Sequence, residues 1–224
     1  MNRIYLVRHG ENRANLTKEF SSRLVDYPLT EKGRLQAAQT AACFRDRGIQ
    51  GVYSSPLKRA SETAQIIATA LDLPVTILEQ FREVDVGLLE QRPPTAEAWE
   101  QHNRLIGEWF EGHPERRFPG GENYHELLAR MRSGLIQVLD DQQDRNLIIM
   151  GHGGIFTFTL PHICPQVTPE ELRYVENHNC SITEILMHNE NGELLGELIR
   201  YAYHGHLSGK AAELVSGVPK QGEL

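Results

Sequence analysis

The run Asn146-Leu147-Ile148-Ile149-Met150 narrows most sharply what this chain can become. Consecutive large apolar side chains point to alternate faces of a strand, so a strand built from them must be covered on both sides. Such a strand belongs inside a mostly parallel sheet flanked by helices. It runs directly into Gly151-His152-Gly153-Gly154, which puts a histidine and three small residues at the exit of a buried strand.

The remaining sequence alternates in a compatible way. Residues 3 to 7 (RIYLV), 51 to 55 (GVYSS) and 74 to 78 (PVTIL) are further short β-prone runs. Gly10 to Pro28 is polar and irregular and reads as a loop. Thr30 is placed to cap a helix with Leu35, Ala38 and Ala42 on one face and Gly48 at its stop. A second helix starts at Pro56, with Leu57, Ala60, Ala64, Ile67 and Leu71 at helical spacing. Residues 95 to 111 and 123 to 141 read as two more helices, the latter with Leu127, Met131, Leu135 and Val138 on one face. SITEILMH and ELLGELIRY flank Asn189-Glu190-Asn191-Gly192, a turn signal for an antiparallel hairpin at a sheet edge. The expected fold class is α/β: a mostly parallel three-layer α/β/α sheet with an antiparallel edge hairpin near the C-terminus. With no repeat and no linker, residues 1 to 224 are expected to form one domain, with an insert-like segment at about 92 to 125 and a tail from about 204.

A formal charge of −7 argues against a general nucleic-acid binder, leaving room for a local basic pocket. The start MNRIYLV reaches charge too soon for a signal peptide, and no later stretch is long and apolar enough to span a bilayer, so a cytoplasmic protein without membrane contact is expected. Cys43, Cys164 and Cys180 show no paired spacing and read as buried or idle thiols. The glycosylation-like Asn15-Leu16-Thr17 and Asn179-Cys180-Ser181 matter only in a secreted protein.

In open α/β sheets, ligands bind beyond the carboxyl ends of the strands. Arg8 and His9 follow the first run, Arg59 lies in the first helical turn after GVYSS, and His152 follows the apolar strand. Two arginines and two histidines at one rim need an anion, and the planar arginine fork fits phosphate oxygens best. A neutral imidazole among them is a competent nucleophile near pH 7, and neighbouring arginines favour that neutral form. Attack on phosphorus builds charge on oxygens that preplaced Arg8, Arg59 and His152 stabilise, a chemistry that requires no metal. An alkoxide leaving group still needs a proton, for which Glu83 and Asp85 in FREVDVGLLE are the candidates.

Taken together, Leu6-Val7-Arg8-His9-Gly10-Glu11 with Asn15, Tyr53-Ser54-Ser55-Pro56-Leu57-x-Arg59-Ala60-x-x-Thr63-Ala64, and Gly151-His152-Gly153-Gly154 resemble the histidine phosphatase superfamily, also called phosphoglycerate mutase-like, over about residues 4 to 160. The resemblance implies that His9 is the phosphorylated nucleophile, that Arg8, Arg59 and His152 surround the phosphoryl group, and that Asn15 and Gly153 lie beside the substrate. Glu83-Val84-Asp85-Val86-Gly87-Leu88-Leu89-Glu90-Gln91 resembles the family segment bearing the acid and selects Glu83 over Asp85, although Leu89 and Gln91 replace a tryptophan and a glycine. Pro119-Gly120-Gly121-Glu122-Asn123 resembles a Gly-Gly-Glu-Ser segment of family phosphatases and is suited to cap the next helix. The C-terminal quarter adds little to the resemblance.

Each residue alone has a plainer role: His9 a turn residue, Arg59 a solvated first-turn arginine, His152 a loop histidine, Glu83 a partner for Arg82, Asn15 an Asx turn, Glu11 a loop charge. The ordered set outweighs those roles for the first three. Of the 10 histidines, His102, His113, His125, His162, His178, His188, His204 and His206 lack metal-ligand spacing and are expected mostly at the surface; no metal site and no cofactor are expected. His204-Gly205-His206 sits in a tail that could reach over the pocket.

The activity expected is metal-independent hydrolysis of a small phosphorylated metabolite through phospho-His9. Phosphoserine, a sugar phosphate, a phosphoglycerate and a cobamide-precursor phosphate are all open as substrates. The alternatives are a phosphoglycerate mutase, for which Arg104, Arg116 and Arg117 are candidate ligands of a carboxylate or a second phosphate, and a non-catalytic phosphate-binding module. Partners are then the metabolite and phosphate, with the edge hairpin a candidate homodimer surface.

Overall fold

A computed structural model describes residues 1–139, 143–173, 175–190 and 193–219. Its sheet contains β1 (Asn2–Arg8), β2 (Ile49–Ser54), β3 (Val75–Ile77), β4 (Asn146–Gly151), β5 (Ile182–Glu190) and β6 (Glu193–Tyr203) in the order β3-β2-β4-β1-β5-β6. The first four are mutually parallel, β5 runs antiparallel to β1, and β6 runs antiparallel to β5. The expected α/β sheet with an antiparallel edge is therefore present; the turn at Asn191-Gly192 lies outside the described residues.

Strand alternation divides the core into two layers. Ile4, Leu6, Leu147 and Ile149 pack on one face with Leu127, Met131 and Leu135 of α5 (Tyr124–Leu139) and with Ile155 and Leu160 of α6 (Gly153–Ile163). Tyr5, Val7, Ile148 and Met150 pack on the other with Phe44 of α2 (Glu31–Phe44) and with Ala60, Ala64 and Ile67 of α3 (Lys58–Ala70). Leu147, Ile148, Ile149 and Met150 are at most 1% exposed, as a strand covered on both faces requires.

Three local expectations need correction. The stretch from Gly10 to Pro28 contains a one-turn helix, α1 (Arg13–Thr17), closed by a reciprocal cap in which Asn12 and Asn15 each accept the other's backbone N–H. Thr30 does cap α2, accepting from the Gly33 N–H at 3.0 Å, but the buried face is Gly33, Gln36, Ala37, Thr40, Ala41 and Phe44. Leu35, Ala38 and Ala42 point outward, because the helix has to lie close to the loop after β1, where only small or hydrogen-bonding side chains fit. Finally, α2 ends at Phe44, and Gly48, at φ +57°, instead turns the chain into β2.

The segment between β3 and β4 carries α4 (Ala96–Phe110), capped by Thr95, and then α5, at whose start Asn123 and Glu126 accept from each other's N–H groups. A short α7 (Pro169–Arg173) precedes β5. No helix among the described residues is long and apolar enough to cross a membrane. The three cysteines are free thiols, and burial pushes those of Cys164 and Cys180 up to about 12.

Candidate active site

The carboxyl ends of four neighbouring parallel strands converge. Arg8 closes β1 opposite Gly151 of β4, and the His9 N–H donates to the Gly151 carbonyl at 3.0 Å, extending that pairing by one residue. The His9 and His152 rings consequently lie 5.1 Å apart. Ser55, following β2, places its Oγ 2.8 Å from His152 Nε2, and α3 begins three residues later with Arg59 in its first turn. His9, Arg8, Arg59 and His152 are all at least 93% buried.

The backbone after His9 is clamped by both helices of that face. A Cβ on Gly10 would stand 2.6 Å from the Gly33 carbonyl oxygen, so only glycine allows this approach to α2. The Gly10 N–H donates to Thr63 Oγ1 of α3 at 3.0 Å. Glu11 is buried and paired with Lys32 at 2.6 Å beside the cap of α2, which gives it a structural place.

His9 has its protonation state set by these neighbours. Its Nδ1 is 2.7 Å from the Gly10 carbonyl oxygen, which can only accept, so Nδ1 carries the hydrogen and Nε2 presents a lone pair. Arg59 Nε donates to that lone pair at 3.1 Å. Burial, then the charges of Arg59 and Arg8, hold the His9 pKa well below 6.5. Burial, Arg59, His9 and Arg8 do the same for His152. Burial likewise lowers both arginines, Arg59 to about 10, opposed first by the charge of Glu83. Arg8 Nε and His152 Nδ1 are buried without a protein partner among the described residues, polar atoms suited to the oxygens of a bound oxyanion.

Glu83 arrives from the β3 side. Its carboxylate accepts from the N–H groups of Val84, Gly154 and Ile155 at 2.8, 3.0 and 2.9 Å, so it sits on the N-terminus of α6, one turn from His152. A Cβ on Gly154 would stand 2.7 Å from Glu83 Oε1, which accounts for a glycine there. Arg82 pairs with Glu79 at 2.5 Å rather than with Glu83. Asp85, the other acidic candidate, pairs with Arg23 at 2.8 Å. Glu83 also lines a cavity of about 240 Å³ with Arg23, Gln80, Arg82 and Arg130.

Asn15 and Gly153 lie at the edges. Asn15 Oδ1 is taken by the N–H of Asn12 and by Asn179 Nδ2, while its own Nδ2 makes no hydrogen bond among the described residues. A Cβ on Gly153 would be 3.5 Å from Arg8 Nε, which sets the first residue of α6 against that guanidinium.

Several residues that hold this arrangement escaped the sequence reading. Arg59 donates to Ser21 Oγ at 2.9 Å and to the Ser21 carbonyl at 2.6 Å. The loop bearing Ser21 is folded around Glu90, whose buried carboxylate accepts from the N–H groups of Ser22, Arg23, Leu24 and Val25 and from Ser22 Oγ at 2.7–3.1 Å. Glu90 thus positions Arg59 through Ser21. Glu90→Ala strands these donors and is expected to cost about 2–4 kcal/mol of stability by urea denaturation, with weaker phosphate binding.

The C-terminal quarter contributes more than expected. Arg8 donates to the Asn177 carbonyl, and Asn179 Nδ2 donates to the His9 carbonyl at 3.0 Å. The tail does cross the site, but through Ser216-Gly217. Lys18 Nζ donates to the Ser216 carbonyl at 2.9 Å, the Gly217 N–H donates to Glu176 at 3.2 Å, and a Cβ on Gly217 would stand 2.8 Å from Arg8 Nη2. His206 instead bonds Thr40 Oγ1 at 3.0 Å, and His204 packs on His178. His102, His178 and His206 are half-buried rather than surface residues, because each packs on other rings or core-facing hydroxyls. Residues 220 to 224 lie outside the described residues.

The depressed histidines have a consequence for stability. In the unfolded chain each titrates near 6.5, so above that pH both states are neutral and the full stability is present. Below 6.5 the unfolded chain takes up protons that buried His9 and His152 refuse. Stability is then lost as pH falls, at up to about 1.4 kcal/mol per pH unit for each group, until the folded state also protonates. Chemical denaturation from pH 7.5 to 5 is expected to show this slope in the wild type and a shallower one in His152→Asn.

A model of the histidine phosphatase superfamily (branch 1) matches residues 4–197. A Salmonella paratyphi B protein named "Probable phosphoglycerate mutase GpmB" is 34% identical over 188 residues, which span 83% of this chain and 85% of that one. A mycobacterial glucosyl-3-phosphoglycerate phosphatase complexed with VO3 superposes with a TM-score of 0.73 at 22% identity, covering 88% of this chain and 97% of that one. Entamoeba histolytica phosphoserine phosphatase in complex with 3-phosphoglyceric acid gives 0.72 at 22% identity, covering 93% and 100%. At such identities the structural likeness speaks for the fold, and the family rests on the sequence matches. With residues 4–197 matched and a relative at 34% identity, this chain belongs to the histidine phosphatase superfamily, branch 1.

Proposed function

We propose that the chain is a metal-independent phosphomonoesterase acting on a small phosphorylated metabolite through a phosphohistidine at His9. The observation that carries this reading is the neutral His9 ring, its Nε2 lone pair directed at Arg59 and its Nδ1 hydrogen held by the Gly10 carbonyl, inside a buried set of cations. Substrate phosphate displaces the Arg59–His9 hydrogen bond and takes both guanidinium groups, with Asn15 Nδ2 and the first N–H of α6 at Gly153 as further donors. Nε2 then forms a bond to phosphorus while the bond from phosphorus to the ester oxygen breaks, and Glu83 gives its proton to the departing oxygen. Arg8, Arg59 and His152 stabilise the charge that grows on the equatorial oxygens. In the second step Glu83 accepts a proton from water, the water oxygen bonds to phosphorus, and His9 leaves as neutral imidazole.

The name of the 34% identical relative supports a second reading, transfer between positions of a phosphoglycerate. The arginines expected to hold a carboxylate or a second phosphate do not favour it. Arg116 is paired with Glu108 and Arg117 with Glu126, both largely exposed, and Arg104 is exposed. Phosphate release from a panel of phosphomonoesters in excess EDTA tests the proposal against 3-phosphoglycerate interconversion primed with a bisphosphate. Release that survives chelation supports the phosphatase; interconversion without release supports the mutase.

A further inference from the structure

Ser55 touches the second histidine of the site directly. It follows β2, donates its N–H to the Met150 carbonyl of β4 at 2.9 Å, and accepts from Ser54 Oγ at 2.9 Å through its own carbonyl, so its backbone is pinned to the sheet. The residue is fully buried. Its Oγ accepts from the Leu57 N–H at 3.3 Å and lies 2.8 Å from His152 Nε2.

A serine hydroxyl has one hydrogen to give. The Leu57 N–H can only donate, and no acceptor for the Ser55 hydroxyl other than His152 Nε2 is within reach among the described residues. The hydrogen therefore goes to Nε2, since the alternative leaves a buried hydroxyl hydrogen unpaired. Burial and the neighbouring cations keep the His152 ring neutral, so with Nε2 accepting, its hydrogen must sit on Nδ1. Nδ1 is the buried atom without a protein partner, on a ring whose centre lies 5.1 Å from that of His9.

The two histidines thus share a tautomer and present opposite faces. His9 turns its Nδ1 hydrogen to the Gly10 carbonyl and offers a lone pair at Nε2. His152 turns its lone pair to Ser55 and offers a hydrogen at Nδ1. One ring can bond to phosphorus while the other donates to a phosphoryl oxygen, and neither adds a charge to the two buried guanidinium groups. The reversed His152 tautomer would set a lone pair against phosphate oxygens.

We propose that Ser55 is a positioning residue that holds His152 as the neutral Nδ1–H tautomer, so that His152 acts on the phosphoryl group as an uncharged hydrogen-bond donor. This role presupposes the phosphoryl site described above, and the test therefore reads tautomer and phosphate binding apart from turnover. Long-range proton–nitrogen correlation spectra of the protein with isotope-labelled histidine, with His152→Asn to identify the signals of His152, are expected to show its proton on Nδ1. In Ser55→Ala the signals are expected to move toward the Nε2–H tautomer. Inorganic phosphate should then bind about tenfold more weakly by calorimetry, the worth of one neutral hydrogen bond.

A double-mutant cycle separates positioning from a general structural effect. The amide of His152→Asn can donate without help from Ser55, so adding Ser55→Ala to that variant is expected to change phosphate affinity by less than about twofold. A His152 proton found on Nε2 in the wild type overturns the assignment, as does a loss of affinity from Ser55→Ala that is equally large in the His152→Asn background. If the tautomer and the cycle come out as expected while no phosphomonoester releases phosphate, the hydrolytic reading fails and the role of Ser55 stands.

Discussion

Replacing His9 with alanine is expected to remove phosphate release by at least about 10⁴-fold, the scale at which loss of a covalent nucleophile leaves only binding and electrostatic stabilisation. The residue is at the end of a core strand whose backbone is clamped through Gly10 to α2 and α3, so the substitution removes the imidazole ring and leaves the backbone frame in place. Arg59 loses one hydrogen-bond partner but keeps both of its bonds to Ser21, so phosphate affinity should change far less than turnover. Steady-state kinetics with phosphate inhibition on the same preparation checks both halves. A variant that loses phosphate binding in proportion to activity would point to a collapsed pocket instead of a missing nucleophile.

The second large effect is expected from Glu83→Gln, with a loss of about 10²- to 10⁴-fold on alkyl phosphates. The glutamine oxygen can still accept from the N–H groups of Val84 and Ile155, which share Glu83 Oε1, so the side chain stays anchored at the start of α6 while the transferable proton is lost. Its NH2 faces the Gly154 N–H that Oε2 accepts, a local cost that thermal unfolding of the variant reads separately. The size of the effect should track the leaving group. An aryl phosphate, whose oxygen departs without help, should keep fast phosphoenzyme formation, whereas an alkyl phosphate should stall at the first step. The second step needs Glu83 as base for either ester, so a burst of phenol followed by slow turnover is the expected signature. A loss of equal size on both leaving groups, with no burst, would assign the acid elsewhere, with Asp85 the next residue to test.

Whereas Glu83 lies six residues beyond β3, past a short turn, and was separated from Asp85 only by the resemblance to the family's acid segment, His9 was legible as a candidate because it stands at a strand exit, and an apolar run such as Leu147 to Met150 reveals where such exits are. The sheet itself was legible for the same reason. The inner face of α2 was not, since it is formed by Gly33, Gln36, Ala37, Thr40 and Ala41, whose burial reflects a close approach to the β1 loop, while the more apolar Leu35 faces out at 39% exposure. Hydrophobic spacing carries no trace of a helix buried by its small and polar side.

The supporting shell of the site was hidden for a different reason. Ser21 and Asn177 hold the two arginines through backbone carbonyls, and Glu90 acts on backbone N–H groups 65 to 68 positions away in sequence. Main-chain atoms are the same in every residue, so no composition or motif advertises them. Glu90 did stand inside the segment resembling the family's acid motif, and the carboxylate there, followed by a polar Gln91, was the one available signal. The C-terminal contacts of Asn179 and Gly217 likewise depend on how the chain enters β5 and where the tail passes Arg8, which only the folded chain reveals.

The central claim is that phosphorus is bonded to His9 during turnover. The most direct measurement is to quench the enzyme within milliseconds of mixing with a phosphomonoester, digest under alkaline conditions that preserve phosphohistidine, and locate the phosphate by mass spectrometry. The account predicts one phosphorylated site, on the peptide containing Arg8-His9-Gly10, formed and lost fast enough to account for turnover in the presence of EDTA. Turnover with no phosphoenzyme, or with phosphate on any residue other than His9, would contradict it.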